Sequence, residues 1–406
     1  MTRLPLQGVR VADFTWVGAG PFGTKPLADH GADVIKIETS LKPDILRLAP
    51  PFQKNQPGIN RSGYFANRNT SKRSITLNLN TPQGIELAKR LISVSDVVVN
   101  NFTPGAMEKW GLSYPEVCAI RPDIIYVAMP MQGSEGPHRS FAGFGLTIAA
   151  LSGIHYLSGD PDKEPVGTGT NYPDHVPNPM HAAIATVAAL RHRRLTGEGQ
   201  YVEVAQLESS VNVVATAVLQ YTVNSEIAQR TGNRSGFSAP RCLLRCAGDD
   251  RWCAVDVQSR AQWEGLCRAT GHPEWLRDDR YRDLDQRLLH QDELEAELAE
   301  WSSTLDAYDV MQRLQEAGVP AGVVQNTEDL IERDENLRDR EHWQWLDHAE
   351  MGRSLYDAPP FKLSATPGRL RRPAPLLGEH TAEVLQEVLG LSEEEIAQYA
   401  SVGALR

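Results

Sequence analysis

An aspartate at position 174 is the first candidate for covalent or acid–base chemistry in this sequence. It lies in the string Thr170-Asn-Tyr-Pro-Asp-His-Val-Pro, immediately ahead of an apolar segment that predicts a helix. A helix dipole and free N–H groups hold a preceding carboxylate in its ionised form, in which it can act as a nucleophile or base. The same position also suits an ordinary helix cap or turn residue, so the residue type leaves both interpretations open.

A glycine-rich turn offers a second candidate site, for a nucleotide. The string Gly18-Ala-Gly-Pro-Phe-Gly23 follows a strand-like segment with G-x-G-x-x-G spacing, and Glu38 ends the next strand-like segment. This pattern is typical of dinucleotide binding, where backbone N–H groups at the start of a helix hold a pyrophosphate. Pro21 removes one of those donors, so the glycines also fit a turn that approaches a ligand or a neighbouring chain closely.

Other reactive side chains lack the partners that catalysis or metal binding needs. His175 and His181 have no Cys or Ser at a spacing typical of a triad, which favours solvated or core histidines. The basic cluster Arg68-Asn-Thr-Ser-Lys-Arg73 suits either phosphate binding or a solvated turn. The five cysteines match no zinc spacing, so we expect buried, unreactive thiols and no bound metal.

The segments around these residues alternate between strand and helix in the N-terminal third of the chain. Strands are predicted at 8–16, 32–38, 74–79, 96–102 and 123–129, with helices between them. Such alternation predicts a parallel, Rossmann-like sheet covered by helices, which is an α/β fold. A long apolar helix from about Pro177 to Arg194 follows, and it ends at the turn Thr196-Gly-Glu-Gly.

A shift in composition predicts a second, smaller domain. Strands near 243–257 precede polar helices rich in Asp, Glu and Arg, which indicates an α+β unit. We therefore expect a large domain made of residues 1–222 and 336–406 and a small domain of residues 223–335. The C-terminal part is predicted to contain strand and loop over 359–375 and then a helix from about Thr381.

Charge and hydropathy exclude several classes of partner. The 406 residues carry 41 Lys and Arg against 52 Asp and Glu, a net charge of −11, which argues against nucleic acid and against an anionic membrane. No apolar run is long enough for a membrane span, and Met1-Thr-Arg-Leu-Pro does not resemble a signal peptide, so we expect a cytoplasmic protein. An anionic ligand would need a local basic pocket.

Whole strings of this sequence, in order, resemble the family III CoA-transferases. The strings are Gly8-Val-Arg-Val-Ala-Asp-Phe-Thr-Trp-Val-Gly-Ala-Gly-Pro, Gly31-Ala-Asp-Val-Ile-Lys-Ile-Glu, Ser71-Lys-Arg-Ser-Ile-Thr-Leu-Asn-Leu, Val99-Asn-Asn-Phe-Thr-Pro-Gly-Ala, Ala188-Ala-Leu through Thr196-Gly-Glu-Gly-Gln-Tyr-Val-Glu-Val, and Pro375-Leu-Leu-Gly-Glu-His-Thr. The resemblance covers nearly the full chain. It implies an interlaced homodimer, with pairing to a homologous subunit as the alternative.

The resemblance gives Asp174 the place of the family's nucleophilic aspartate. It implies covalent catalysis in which CoA is transferred reversibly from an acyl-CoA, with succinyl-CoA as a candidate donor, to a small carboxylic acid through an aspartyl-CoA thioester. It also implies which residues contact coenzyme A, the only cofactor expected. These are Gly18, Ala19, Leu77, Leu79, Asn80, Asn101 and Phe102, with Lys109 as a basic contact to the nucleotide phosphates.

At several positions this sequence differs from the motifs of two groups within the family, and these differences argue against the activities of those groups. Formyl-CoA transferase carries Gln where Gly18 stands and a run of glycines at 235–239, which argues against an oxalate and formate specialist. The related 2-methylacyl-CoA racemases use a His–Asp pair ahead of an Ala-Leu-Ser-Gly segment, whereas Gly143-Phe-Gly145 precedes that segment here. Because racemisation needs a base on each side of the α-carbon, the missing histidine favours transfer. A racemase or isomerase acting on acyl-CoA stays the first alternative, and an NAD-dependent oxidoreductase the second.

Overall fold

Six parallel strands form the sheet that positions the candidate site. The computed structural model describes residues 3–406. Its strands are β1 (Arg10–Asp13), β2 (Asp33–Glu38), β3 (Arg73–Thr76), β4 (Val97–Asn100), β5 (Ile125–Ala128) and β6 (Gln200–Glu203). They pair in the order β3-β2-β1-β4-β5-β6, so β1 lies between β2 and β4. Two smaller sheets contain β7 (Arg241–Arg245), β8 (Trp252–Asp256) and β9 (Ala321–Val323), and β10 (Trp343–His348) and β11 (Gly352–Asp357).

Helices follow most of the strands, as the alternation in the sequence predicts. They are α1 (Ala19–Asp29), α2 (Gly63–Arg68), α3 (Pro82–Ser93), α4 (Tyr114–Ile120), α5 (Gly145–Leu151), α6 (Ile154–Leu157), α7 (Tyr172–His175), α8 (Pro177–Thr196), α9 (Gln206–Val211), α10 (Ala215–Asn224), α11 (Arg260–Thr270), α12 (Leu284–Leu289), α13 (Gln291–Ser302), α14 (Ala307–Glu316), α15 (Glu335–Asp339), α16 (Thr381–Glu387) and α17 (Glu393–Ser401). Local chemistry sets several ends. The Thr81 hydroxyl, for example, accepts from the Gly84 N–H at 3.0 Å and caps α3.

Both faces of the parallel sheet are buried, which explains its continuous apolar strands. Val98 and Tyr126 face a cluster that also contains Leu87 of α3 and Val384 of α16. Their neighbours along the strands face the opposite cluster, which contains residues of α1 and α8. The prediction of a parallel sheet covered by helices is therefore confirmed.

The order of strands creates a crevice at the carboxyl ends of β1 and β4. Chain connections leave these two neighbours in opposite directions along the sheet, and ligands of open α/β sheets bind at such a switch point. Two of the segments expected to contact coenzyme A leave the sheet here. They are the loop that enters α1 and the loop that begins with Asn101.

The chain groups into two compact units. The first contains residues 1–155, 167–227 and 336–406, and the second contains residues 156–166 and 228–335. In the second unit, the antiparallel sheet β7-β8-β9 packs with α11, α13 and α14 around a core that includes Trp263, Leu298 and Leu314. The predicted domain limits at 222/223 and 335/336 stay a prediction.

Two local expectations need correction. The first strand ends at Asp13 rather than near residue 16, because the Asp13 carboxylate accepts from the Thr15 N–H and hydroxyl and turns the chain. In the C-terminal part, the strands form the hairpin β10–β11, whereas 359–375 contains none. Among the helices of residues 3–406, none combines the length and hydrophobicity needed to cross a membrane.

A buried ion pair gives a test of how this fold tolerates charge. The Arg47 guanidinium donates to both oxygens of Glu38 at 2.8 and 2.7 Å, and the two side chains are fully buried. We expect Arg47→Met to lower the free energy of unfolding by about 3–5 kcal/mol, because the Glu38 carboxylate is left buried and unpaired. Adding Glu38→Gln should recover part of that loss.

Denaturant unfolding of the single and double variants measures this effect. The control is Arg260→Met, which removes a half-exposed pair with Glu264 and should cost less than about 1 kcal/mol. Equal losses for the two arginines would contradict the expectation.

Candidate active site

The Asp174 carboxylate is buried between two glycines from distant parts of the chain. The residue is 6% exposed and lies in the short helix α7. A Cβ atom on Gly18 would lie 2.8 Å from Asp174 Cβ, and a Cβ atom on Gly145 would lie 2.5 Å from Asp174 Oδ2. Any larger residue at either position would therefore displace the carboxylate, so both glycines are needed for this close approach.

Burial controls the protonation of Asp174. Desolvation raises the pKa of its carboxyl group to about 6, and the Gly145 N–H, which donates to the carboxylate, lowers that pKa by a smaller amount. The helix dipole was expected to favour the ionised form, but burial has the larger effect on the pKa of Asp174 and acts in the opposite direction. Among residues 3–406, no cation forms an ion pair with this carboxylate. Because its pKa still lies below 7, the buried group is mostly ionised at pH 7.

Buried charges fix the loop that brings Gly18 to Asp174. The Lys36 ammonium group is 3.0 Å from the Asp44 carboxylate and donates to the Thr15 carbonyl oxygen at 2.6 Å. Asp44 in turn accepts from the Val17 N–H at 3.1 Å. Val17 has a φ of 60°, a left-handed conformation that costs a β-branched residue on the order of 1–3 kcal/mol. The network offsets that strain.

Asn101 clamps the same loop from the other strand. Its side-chain amide accepts from the Trp16 N–H at 2.9 Å and donates to the Trp16 carbonyl oxygen at 2.6 Å. Because both ends of the amide are engaged, Asn101 joins the carboxyl ends of β1 and β4. The side chain of Asn101, one of the residues expected at coenzyme A, thus holds the loop.

A cavity of about 360 Å³ opens beside this loop, and we call it the Trp16 cavity. Trp16, Phe102 and Trp110 form its aromatic side, with ring centres 6.0 and 5.8 Å apart in edge-to-face contacts. Four residues expected to contact coenzyme A line it, namely Leu77, Leu79, Asn80 and Phe102. The structure therefore places these four together.

The remaining expected contacts lie next to the Trp16 cavity. Gly18 and Ala19 are buried at the start of α1, whose first N–H groups lack acceptors within the helix. Lys109 is exposed and precedes Trp110 of the cavity wall. Lys42, which we did not predict, supplies a second exposed cation at the wall. Lys42 lines the cavity, whereas Lys109 is next in sequence to the lining residue Trp110.

Both predicted interpretations of the basic cluster are wrong for Lys72 and Arg73. Lys72 is fully buried and donates to Asp13, to Asn69 and to a backbone oxygen. Arg73 forms ion pairs with Asp33 and with a glutamate of α16. The acidic residue of the dinucleotide pattern, Glu38, is likewise occupied by its buried ion pair. Its carboxylate is therefore not free to bind a ribose.

A second cavity of about 410 Å³ adjoins Asp174, and we call it the Tyr64 cavity. The Tyr64 hydroxyl lies 2.8 Å from His175 Nε2, and the Thr170 hydroxyl lies 2.7 Å from His175 Nδ1. Burial and the nearby Arg68 charge lower the pKa of His175 to about 4, so its ring is neutral at pH 7. The lining residues are Tyr64, Gly145, Leu146, Ala149, His155, Gly167, Thr168, Gly169, Thr170, Asn171 and His175.

The described residues contain no cluster of metal ligands and few reactive thiols. Within residues 3–406, no three His, Cys, Asp or Glu side chains converge in a way that could hold a metal ion. Cys242, Cys246, Cys253 and Cys267 are buried and free, and burial raises the pKa of their thiols. Thiols that stay protonated at pH 7 are poor nucleophiles.

Comparison with known proteins decides the family. The profile of CoA-transferase family III matches residues 6–381. The chain belongs to that family. This family III CoA-transferase is 35% identical over 400 residues to the succinyl-CoA–L-malate CoA-transferase beta subunit of Chloroflexus aurantiacus, covering 97% of this chain and 96% of the relative. It is 34% identical to the formyl-CoA:oxalate CoA-transferase of Streptomyces coelicolor over the whole of both chains.

A solved structure shares the fold. The crystal structure of a CAIB/BAIF family protein from Brucella suis superposes with a TM-score of 0.86 at 30% identity, covering 95% of this chain and all of that one. The resemblance stated from the sequence is confirmed, and so is the assignment as an enzyme of the CoA-transferase type. The relatives' names pair CoA thioesters with carboxylic acids as substrates.

Several residues around the carboxylate of this family III CoA-transferase were not predicted. Gly145 was noted only as the place of a missing histidine, and His175 only as a solvated or core residue. Tyr64 was not considered. These residues meet at Asp174 through tertiary contacts, and their sequence separation carries no signal of that meeting. The one available hint was a glycine at the start of a helix, at Gly145.

Because Asp174 is buried, its ionised form should lower the stability of the folded protein. Its ordinary pKa is 3.8, and it is about 6 in the folded protein. Ionisation therefore opposes folding as the pH rises above 3.8, and the full penalty applies above 6. We expect Asp174→Asn to raise the free energy of unfolding by about 3 kcal/mol at pH 8 and to have little effect at pH 3.5.

Thermal unfolding of both proteins at the two pH values measures this difference. The matched control is Asp162→Asn, an exposed aspartate for which no pH-dependent gain is expected. An Asp174→Asn protein less stable than the native one at pH 8 would contradict the prediction.

Proposed function

We propose that this enzyme transfers CoA reversibly from an acyl-CoA to a small carboxylic acid, with Asp174 as the nucleophile. The observation that supports this most directly is the Asp174 carboxylate itself. It is buried, unpaired with any described cation, and held between Gly18 and Gly145 at the crevice of the sheet. A carboxylate without hydration or a counter-ion is a stronger nucleophile than one in water.

The reaction then proceeds by exchange between thioesters and anhydrides. Asp174 attacks the acyl-CoA carbonyl carbon and the C–S bond breaks. CoA leaves as the thiolate, and the acyl group stays on Asp174 as a mixed anhydride. The thiolate attacks the aspartyl carbonyl carbon, which releases the first acid and forms aspartyl-CoA. The incoming carboxylate repeats both steps in reverse and leaves as the new acyl-CoA. No water or ATP is consumed, so burial of Asp174 also protects each anhydride from hydrolysis.

Coenzyme A fits the features that converge on the loop after β1. In our proposal the aromatic Trp16 cavity holds the adenine end, and Lys42 and Lys109 lie where they can neutralise phosphates. The thiol end then reaches Asp174 past Gly18 and Ala19. The N–H groups that begin α1 are suited to stabilising the oxyanion that develops on the thioester carbonyl.

The alternatives receive less support from these contacts. A racemase needs a second base opposite the first, but Gly145 brings a backbone N–H to Asp174 where the histidine pattern is missing. An oxidoreductase using NAD needs a free acidic residue after β2, but Glu38 is paired with Arg47. Succinyl-CoA is the donor we propose, because the Chloroflexus relative is named for it.

Trapping of the covalent intermediate tests the mechanism. We expect succinyl-CoA to acylate the enzyme in the absence of acceptor, and hydroxylamine to convert Asp174 to its hydroxamate, seen by peptide mass spectrometry. Asp174→Asn should lower the transfer rate by at least about 10³-fold, because an amide in place of the carboxylate cannot form the anhydride.

The control is Asp162→Asn, which should be trapped and should transfer CoA at the native rate. An Asp174→Asn enzyme that retained the native transfer rate would contradict the proposed mechanism.

We also propose that the active protein is a homodimer. Helices α8 and α10 expose large apolar side chains, among them Ile184 at 67%, Leu219 at 60% and Val223 at 75%. Large apolar side chains that a fold leaves exposed along its helices are typical of an interaction surface. A second copy of this chain is the occupant that the family resemblance implies.

Light scattering after size-exclusion chromatography measures the oligomeric state. We expect twice the mass of one chain, and a shift towards the monomer when Leu219→Asp and Val223→Asp are combined, because two buried charges would oppose association. Leu289→Asp changes an equally exposed leucine of the second unit and should leave the mass unchanged. A native protein that runs as a monomer, or only with a related subunit, would contradict the proposal.

A further inference from the structure

Residues 403–406, which we call the strap, lie across the carboxyl ends of β2 and β3. Four consecutive carbonyl oxygens of the strap each accept a hydrogen bond from this side of the sheet. In the order of the strap residues, the donors are the Asn78 side-chain amide at 3.3 Å, the Asn78 N–H at 2.7 Å, the Thr76 hydroxyl at 3.0 Å and the Thr39 hydroxyl at 2.7 Å. A segment outside any helix or strand whose carbonyl groups are all bonded in this way has a fixed position.

The strap is also anchored by packing. Ala404 is fully buried, and Leu405 packs against the core cluster that contains Val384 of α16. Gly403 has a φ of 75°, so the chain turns from α17 towards the sheet in a left-handed conformation that favours glycine. Packing and hydrogen bonds therefore act together, and the strap is suited to holding other segments in place.

Two residues that donate to the strap belong to the wall of the Trp16 cavity. Thr39 follows β2 and Asn78 follows β3, and both line the cavity. Next to these residues, the Leu77 N–H donates to the Glu38 carbonyl oxygen at 2.8 Å and joins the ends of the two strands. Beyond that bond, the strap accepts from both loops and so links them.

Thr39 and Asn78 each bond to a further residue of the lining. The Thr39 hydroxyl accepts from the Leu41 N–H at 3.3 Å, and the Asn78 side-chain oxygen accepts from the Asn80 N–H at 3.1 Å. Leu41 precedes Lys42 in the lining, and Asn80 is one of the residues expected to contact coenzyme A. A displacement of the strap would therefore reach both loops of the cavity wall through one or two hydrogen bonds.

We infer that the strap is a positioning element of the coenzyme site, which holds the loops after β2 and β3 at the separation that fits the adenosine end of coenzyme A. Residues 403–406 are not among those that line the Trp16 cavity, so the strap acts through Thr39 and Asn78. This inference rests on the proposed function for the identity of the ligand. It adds to the coenzyme site a segment that is distant in sequence from every residue expected there.

Binding of a fragment of coenzyme A tests the inference without turnover. Adenosine 3′,5′-bisphosphate carries the adenine and the ribose that we place in the Trp16 cavity, and it lacks the thiol end. We expect calorimetry to show at least about tenfold weaker binding to a shortened protein without residues 403–406, because the cavity wall must then be ordered by the ligand itself. Equal affinities of the two proteins, or no binding to the native one, overturn the inference.

Thr76→Val keeps the inference testable if the shortened protein does not fold, as judged by its melting temperature. Thr76 is buried and lies outside the cavity lining, so this change removes one hydrogen bond to the strap without altering a contact to the ligand. We expect about threefold weaker binding of the bisphosphate. An unchanged affinity overturns the inference.

The matched control is Tyr399→Phe. It removes the hydrogen bond of 2.8 Å between the Tyr399 hydroxyl of α17 and the Glu86 carboxylate, neither of which lines the cavity. Affinity for the bisphosphate should stay at the native value. A loss equal to that of Thr76→Val would overturn the inference, because any loosened contact of the C-terminal part would then have the same effect.

Steady-state kinetics separate this inference from the proposed function. For the shortened protein we expect the KM for succinyl-CoA to rise at least about tenfold and kcat to stay within about twofold of the native value, since only binding common to the ground and transition states is lost. A lower kcat at an unchanged KM overturns the inference. Hydroxylamine trapping of Asp174 at saturating succinyl-CoA tests the mechanism alone. Binding of the bisphosphate that depends on the strap, without any trapping, would support the inference and contradict the mechanism.

Discussion

The ion pair between Lys36 and Asp44 fixes the geometry on which the rest of the site depends. Both groups are fully buried, and Asp44 holds the N–H of Val17 in a conformation that valine does not adopt freely. One residue later, Gly18 touches Asp174, and one residue earlier, Trp16 lines the cavity proposed for the nucleotide. A single constrained loop therefore connects the wall of the Trp16 cavity with the contact to Asp174. Loss of either charge would leave the other buried without a partner, so the two are needed together.

The site combines costly features with a rigid support. A desolvated carboxylate and a left-handed valine each oppose folding. They persist because a sheet buried on both faces and a clamp by Asn101 leave the loops no alternative arrangement. Strain and desolvation that concentrate at one crevice are typical of functional sites, where a relaxed arrangement would react more slowly.

The sequence predicts the sheet well because its evidence is local. Apolar runs such as 97–100 and 125–128 and caps such as Thr81 depend on neighbouring residues alone, and the structure has strands and a helix there. The family resemblance singled out Asp174 as the expected nucleophile. Its position in the sequence alone was also typical of a turn or helix-cap residue. The rise in its pKa was not predicted, because the burial that causes it depends on segments such as those of Gly18 and Gly145, which are distant in the sequence. Lys72 and Arg73 were misjudged for the same reason, because their carboxylate partners come from β1, β2 and α16.

The two ends of the Tyr64 cavity are built from different kinds of structure. Asp174 is held by glycines at the ends of loops anchored to the sheet, whereas Thr168 and Thr170 lie in a segment without regular structure and Tyr64 lies in the short helix α2. Substitutions in the second group would alter the hydrogen bonds of the cavity wall while Asp174, its two glycines and the loop after β1 stay as they are. Under the proposed function, selection then changes which acid is accepted in a few steps, each of which retains a working transferase. A fold divided in this way is suited to giving rise to many enzymes that share one reaction and differ in substrate.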